Sequence, residues 1–166
     1  MRGDGPDTSP RMDTFDPRFP GFSITTDPAR MDFAVIHGFL AQSYWSAGIP
    51  GATLRRALAN SLCFGVFFGA DQVGFARVVT DRATFGYLAD VFVVPAHRGR
   101  GLSKWLVAVI LDDPDLQGLR RLLLATRDAH GLYLQLGFKP VAVPGNFMDR
   151  HDPDVYKRAS ERSGGS

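Results

Sequence analysis

Asp90-Val-Phe-Val-Val-Pro-Ala-His-Arg-Gly-Arg-Gly-Leu-Ser103 is the stretch whose reading decides the fold. Val91 to Val94 are apolar and either β-branched or aromatic, the composition of a strand buried on both faces. Pro95 has no N–H for a sheet ladder and ends that strand. A tight basic turn, Arg98-Gly99-Arg100-Gly101, follows. Leu102, Trp105, Leu106, Val109 and Ile110 then recur at helical spacing and predict a helix with one apolar face. Strand, glycine-rich turn and helix start together make an anion site. The first helical amides lack intrahelical partners and carry the positive end of the helix dipole. Glycines let a phosphate approach the backbone, and Arg98, Arg100 and Lys104 add charge. A diphosphate suits several converging amides better than a carboxylate does. The spacing matches neither the Walker-type phosphate loop nor the dinucleotide fingerprint. The competing reading is a glycine-rich connection on a solvated surface.

Upstream, the pattern is that of a strand meander. Leu62–Phe68 and Val73–Val79 are apolar runs joined by Gly69-Ala-Asp-Gln72, an antiparallel pair. The chain turns again at Thr80–Ala83, and a long strand from Thr84 to Val94 reaches the opening motif. Gly86 and Ala89 are weak points in that strand, suited to a bulge or a close backbone approach. Before the meander, Phe22–Thr26 alternates as a first strand, and Asp27-Pro28 is a helix-start signal ahead of Phe33, Ile36 and Leu40. Tyr44 and Trp45 are adjacent at the end of that helix and cannot both face one core, which makes them candidates for a pocket wall. Thr53 is placed to cap a second helix carrying Leu54 and Leu58.

Downstream, Asp112-Asp113-Pro114 breaks the long helix, and Leu122–Thr126 reads as a strand parallel to the preceding one, because a helix joins them. Ala129, Leu132, Tyr133 and Leu136 predict another helix, stopped by Gly137, and Phe138–Val143 a final strand.

Composition narrows the function classes. The 166 residues suit one domain with one substantial core. A net charge of +2, with no long basic run, gives no support to a nucleic-acid or membrane partner. Cys63 is the single cysteine, so no intrachain disulfide can form, and a reducing cytoplasm is the simplest setting. The first twenty residues lack an apolar signal core. No apolar run approaches the ~18 residues of a membrane span. Residues 1–20 read as a flexible leader, 21–150 as the domain, and 151–166 as a flexible tail. Neither His37, His97, His130 nor His151 shows metal-ligand spacing with another ligand type, so no metal is expected.

Arg98-Gly-Arg-Gly-Leu-Ser103 resembles the acetyl-CoA motif of the GCN5-related N-acetyltransferases, [Q/R]-x-x-G-x-[G/A], departing from it at Ser103. Ala129-His-Gly-Leu-Tyr-Leu-Gln-Leu-Gly-Phe138 resembles a second signature, A-x-x-L-Y-x-x-x-G-F, at every fixed position. The family often has asparagine where this chain has Thr126. The chain thus looks like a small bacterial member over roughly residues 21–150. The resemblance implies an α/β (α+β) GNAT fold: a mixed, mostly antiparallel sheet of about six to seven strands with about four helices, splayed between its fourth and fifth strands. It implies an acetyl-CoA-dependent N-acetyltransferase that passes the acetyl group to a primary amine by direct attack on the thioester.

The resemblance also distributes roles. Val91, Phe92 and Val93 match the strand that pairs with the pantetheine arm. Arg98, Gly99, Arg100, Gly101, Leu102, Ser103 and Lys104 match the pyrophosphate loop, and Thr126 a further cofactor contact. Tyr133 matches the general acid; the bland alternative is a core tyrosine. Asp90 is the candidate base, with a structural aspartate as the alternative and Asp81 as a weaker candidate. Tyr44, Trp45, Arg77 and Phe85 are candidate acceptor contacts, with Phe147 and Met148 also in the regions that build acceptor pockets. That mixture points to a small, partly apolar amine. A homodimer is allowed. The other functions kept open are a non-catalytic acyl-CoA-binding or regulatory module and acylation of a protein N-terminus or lysine.

Overall fold

The structure is a computed structural model that describes residues 11–163. Its centre is a five-stranded sheet in the order β1 (Phe22–Thr25), β2 (Leu62–Phe68), β3 (Asp71–Thr80), β4 (Phe85–Val93) and β5 (Arg121–Leu123). The first four strands pair antiparallel in chain order, and β5 joins β4 in parallel. The helices are α1 (Phe33–Leu40), α2 (Gly51–Ala59), α3 (Leu102–Leu111), α4 (His130–Leu134) and α5 (Val155–Ser163).

Two apolar layers clamp the sheet. On one face Ile36 and Leu40 of α1 and Leu54 of α2 pack on Phe75 and Phe92. On the other, Leu102, Leu106 and Ile110 of α3 pack on Phe64, Val66, Val78 and Leu88. Leu106 and Ile110 are wholly buried; truncating either to alanine would cost about 2–5 kcal/mol through lost contacts and a residual cavity.

The sheet is narrower than the six to seven strands expected, because Phe138–Val143 does not form a strand. Pro140 removes a ladder donor in the middle of that run, and Pro144 follows at its end. The segment instead runs past β5 across a groove of about 450 Å³. Helices number five rather than about four among the described residues, since α5 occupies the region expected to be an unstructured tail. Its Tyr156 packs against the α1–α2 core. The leader is also engaged from Arg11 onward. Thr14 bridges to Ile24, Arg11 pairs with Asp113 and Asp115, and Phe19 stacks on Trp105 with ring centroids 4.9 Å apart. The remainder of the two expected flexible ends, residues 1–10 and 164–166, lies outside the described residues.

Helix starts differ locally from expectation. Asp27 caps only a single 3-10 turn, Pro28–Arg30, and α1 begins after Asp32, whose carboxylate accepts from the amides of Ala34 and Val35. Thr53 lies inside α2, which starts after Pro50 without a side-chain cap.

The feature that shapes the site is a bulge in β4. Phe75 faces Phe92 while Arg77 faces Ala89, so a two-residue step on β3 meets a three-residue step on β4. The extra residue is accommodated at Asp90, whose φ is +57°, in the left-handed region. The bulge shifts the odd–even alternation and keeps the faces: Leu88 and Val93 both point into the α3 core, although their odd spacing would separate them in a regular strand. Gly86 serves the other purpose expected of a weak point, a close approach: a Cβ there would meet Leu122 Cδ1 at 2.8 Å.

Candidate active site

β4 and β5 pair only from Phe85 opposite Arg121 to Tyr87 opposite Leu123, and then part. Beyond Leu123 the chain leaves for α4, and the Thr126 hydroxyl accepts from the Ala129 amide at 3.0 Å to start that turn. The parting opens a cleft of about 540 Å³ between Tyr87–Val91 on one side and Leu124–Ala129 on the other. Backbone polar groups face into it. Val94 N–H bonds to the Val73 carbonyl at 2.8 Å, so Phe92 points the same way and Val91 and Val93 point away from β3. The Val93 carbonyl accepts from Arg98 Nε at 2.9 Å. Val91 and the Val93 amide have no strand opposite them. Phe92 belongs to the core by its ring, which stacks on Phe39 at 3.9 Å.

The turn before α3 is built for close approach. Gly99 and Gly101 have φ of +76° and +83°. A Cβ on Gly99 would find nothing within 4 Å, and one on Gly101 only the Phe19 ring at 3.8 Å. The first helical bond runs from Trp105 N–H to the Gly101 carbonyl at 3.1 Å, so the amides of Leu102, Ser103 and Lys104 precede the ladder without intrahelical partners. Arg100 is exposed, Arg98 is turned back onto β4, and Lys104 Nζ donates to Gln135 Oε1 at 2.9 Å, tying α3 to the end of α4. Open space, left-handed glycines and unpartnered amides at a dipole's positive end fit a diphosphate.

Tyr133 projects from α4 into the cleft and is 8% exposed. Its ring meets Phe138 edge-on, and its hydroxyl makes no hydrogen bond among the described residues. Burial raises its pKa, with Tyr44 adding to the shift, so it stays protonated at neutral pH.

Asp90 lies at the opposite wall with both oxygens engaged. Trp45 Nε1 donates to Oδ1 at 3.0 Å, and Arg77 Nε donates to Oδ2 at 2.5 Å. Arg77 also donates to the Ser61 hydroxyl at 3.1 Å. Both Asp90 carboxylate oxygens are thereby committed to protein donors. Asp81 is placed elsewhere: it accepts from the Thr84 hydroxyl and from the amides of Thr84, Ala83 and Phe85 in the β3–β4 turn. Those bonds, the Thr84 hydroxyl foremost, hold it below the usual carboxylate range.

Of the expected acceptor contacts, Tyr44, Trp45 and Arg77 line the cleft. Phe85 does not, because it opens β4 at the paired end, opposite Arg121. Phe147 packs under the Arg121 guanidinium, and Met148 is almost fully exposed; neither lines the cleft. Sequence reasoning missed Tyr87, Arg127, Asp128 and Tyr156, which do. Arg127 and Asp128 directly precede the second motif, a signal that was available. Tyr156 had none, since α5 is polar around most of its surface.

A mixed sheet parting beside a glycine-rich helix start, with a buried tyrosine at the opening, is the frame of an acyltransferase. The family model of the GNAT acetyltransferases matches residues 33–138, and the chain belongs to that family. A Gibberella zeae protein provisionally described as an acetyltransferase is 32% identical over 142 residues, covering 71% of this chain and 79% of its own length. A crystal structure from Xanthomonas campestris pv. campestris, provisionally described as a GNAT-family acetyltransferase, is 51% identical with a TM-score of 0.80, covering 82% of this chain and 97% of that one. A crystal structure from Clostridium acetobutylicum, provisionally described as an acetyltransferase and solved with acetyl-CoA, has a TM-score of 0.57 over 78% of this chain and 94% of its own; at 11% identity it speaks to the fold alone. Among the described residues, no helix is long and apolar enough to cross a membrane.

Proposed function

We propose that the protein is a cytoplasmic N-acetyltransferase that uses acetyl-CoA to acetylate the primary amine of a small molecule. The observation that carries this reading is the parting of β4 and β5 next to a Tyr133 hydroxyl with no partner among the described residues. The free backbone groups of Val91 and Val93 would pair with the amide-bearing pantetheine arm, as a missing strand would. The amides of Gly99 to Lys104 would hold the diphosphate. Thr126, whose oxygen already serves α4, keeps its hydroxyl proton to donate.

The acceptor must reach the thioester as a neutral amine. Its nitrogen lone pair attacks the carbonyl carbon, a C–N bond forms, the C–S bond breaks, and the nitrogen sheds a proton. Tyr133 gives its phenolic proton to the departing thiolate, and the resulting phenolate is reprotonated from the amine side through water. Asp90 holds Trp45 and Arg77 against the bulge, and fixes the wall that faces the acceptor. Acetyl-CoA titrated into the protein by calorimetry, followed by an amine panel read as free thiol, tests the reading. Absence of acetyl-CoA binding at millimolar concentration would overturn it.

A further inference from the structure

The charges lining the cleft are unequally available. Arg77 and Asp90 are paired with each other. The Arg127 guanidinium lies 3.8 Å above the Tyr44 ring. Asp128 lines the same cleft, is exposed to it, and has no hydrogen bond or ion pair among the described residues. Among the described residues it is the single carboxylate of the cleft left free to meet a ligand. Around it stand five aromatic side chains: Tyr44, Trp45, Tyr87, Tyr133 and Tyr156. Aromatic faces attract cations and repel anions, and they bury apolar bodies.

We infer that the acceptor is a primary ammonium on an aryl or alkyl body, and that Asp128 is the residue that reads its charge. This rests on the N-acetyltransferase reading above. The ammonium docks against Asp128 while its body lies among the tyrosine rings. A polycation would bring several positive charges to one free carboxylate, and an anion would meet Asp128 and the ring faces, with Arg127 as its counter-charge only by leaving the Tyr44 face. Asp128 is thus a specificity-determining residue for the ground state of the acceptor. Its exposure at the cleft mouth also gives the shed proton a route to solvent.

The test separates recognition from transfer by using a probe that cannot be acetylated. Phenethyltrimethylammonium and the anion 3-phenylpropionate are titrated by calorimetry into the wild type, Asp128→Asn and Asp128→Lys. Phenethylamine is assayed as an acceptor in parallel. Asp128 is exposed, so both variants should fold, and circular dichroism checks that they do. We expect the cation to bind the wild type and to lose about fivefold or more in Asp128→Asn, the fold-change equal to ~1 kcal/mol for one unscreened contact near water. The anion should bind more weakly than the cation to the wild type and gain in Asp128→Lys. For phenethylamine, KM should rise in Asp128→Asn with kcat little changed. Equal cation affinity in wild type and Asp128→Asn, or tighter binding of the anion, overturns the inference. Acetylation of amines regardless of Asp128 would remove Asp128 while leaving the transferase reading intact. Asp128-dependent cation binding with no acetyl transfer would do the reverse.

Discussion

Arg77 and Asp90 face each other across the β4 bulge, with Nε donating to Oδ2 at 2.5 Å and side chains 19% and 5% exposed. The pair explains why a non-glycine residue tolerates a left-handed backbone there. Aspartate is among the few side chains that accept that conformation, and Trp45 and Arg77 hold it in place. Asp90→Ala would leave a partly buried guanidinium beside a methyl group and add backbone strain. Discounting for the solvent that reaches Arg77, we expect a loss of about 2–4 kcal/mol. For a chain of this size that is a Tm drop of roughly 5–15 °C. Asp90→Asn keeps an acceptor for Trp45 and the tolerated φ, so its drop should be clearly smaller. Thermal denaturation of both variants decides; equal drops would show that the charge pair is irrelevant.

Tyr133→Phe removes an oxygen that has no protein partner, so stability should hold. The turnover number should fall, by about 10²-fold, the lower end of general acid catalysis. The loss belongs in kcat rather than KM, because the hydroxyl matters as charge develops on sulfur. A thioester with a better leaving group should recover part of the rate. A lower Tm with intact kcat would instead mark a core tyrosine.

Gly101→Glu places a carboxylate where the amides of Leu102 to Lys104 converge. The φ of +83° adds about 1–2 kcal/mol of strain, while the nearest atoms, in Phe19, are at ordinary contact distance. The variant should therefore fold and bind acetyl-CoA at least tenfold more weakly by calorimetry. An unchanged affinity would move the diphosphate site elsewhere.

Cys63 lies in β2 beneath the Arg77–Asp90 pair, and burial pushes its thiol up from 9.0 to about 12. Because the folded value exceeds the unfolded one, the folded state favours the protonated thiol. Its contribution is complete below pH ~9 and declines as pH rises toward ~12. Native protein at pH 8 should resist iodoacetamide for hours and react readily in denaturant, as mass spectrometry would show. Cys63→Ser should flatten the alkaline arm of the stability profile between those limits. Rapid alkylation of the native protein would contradict the burial.

Periodicity made the meander and the strand–turn–helix core legible, since β2, β3, β4 and α3 each carry an apolar pattern longer than its interruptions. The parallel return of β5 followed from the intervening helix. What escaped was set by contacts distant in sequence. Phe138–Val143 has strand composition, but Pro140 and the lack of a partner leave it unpaired. Tyr156 enters the site from a helix with little apolar signal, and Phe85 misses it because a strand's reach, not its composition, decides which end lines a cleft. The bulge was visible only as weakness near Ala89; that the residue absorbing it would be Asp90, tied to Trp45 and Arg77, needed three dimensions.

The bulge is a phase shift written into one strand. The two halves of β4 are out of step, and Asp90 is the single residue that keeps them so. Removing Asp90 would leave Leu88 and Val93 four places apart, so β4 would pair with β3 without a break and its side chains would keep their faces: Phe92 its stack with Phe39, Val93 its place against α3. What would go is the carboxylate that gathers Trp45 and Arg77 at the cleft wall. β4 thus carries one residue that the sheet does not need and the cleft does.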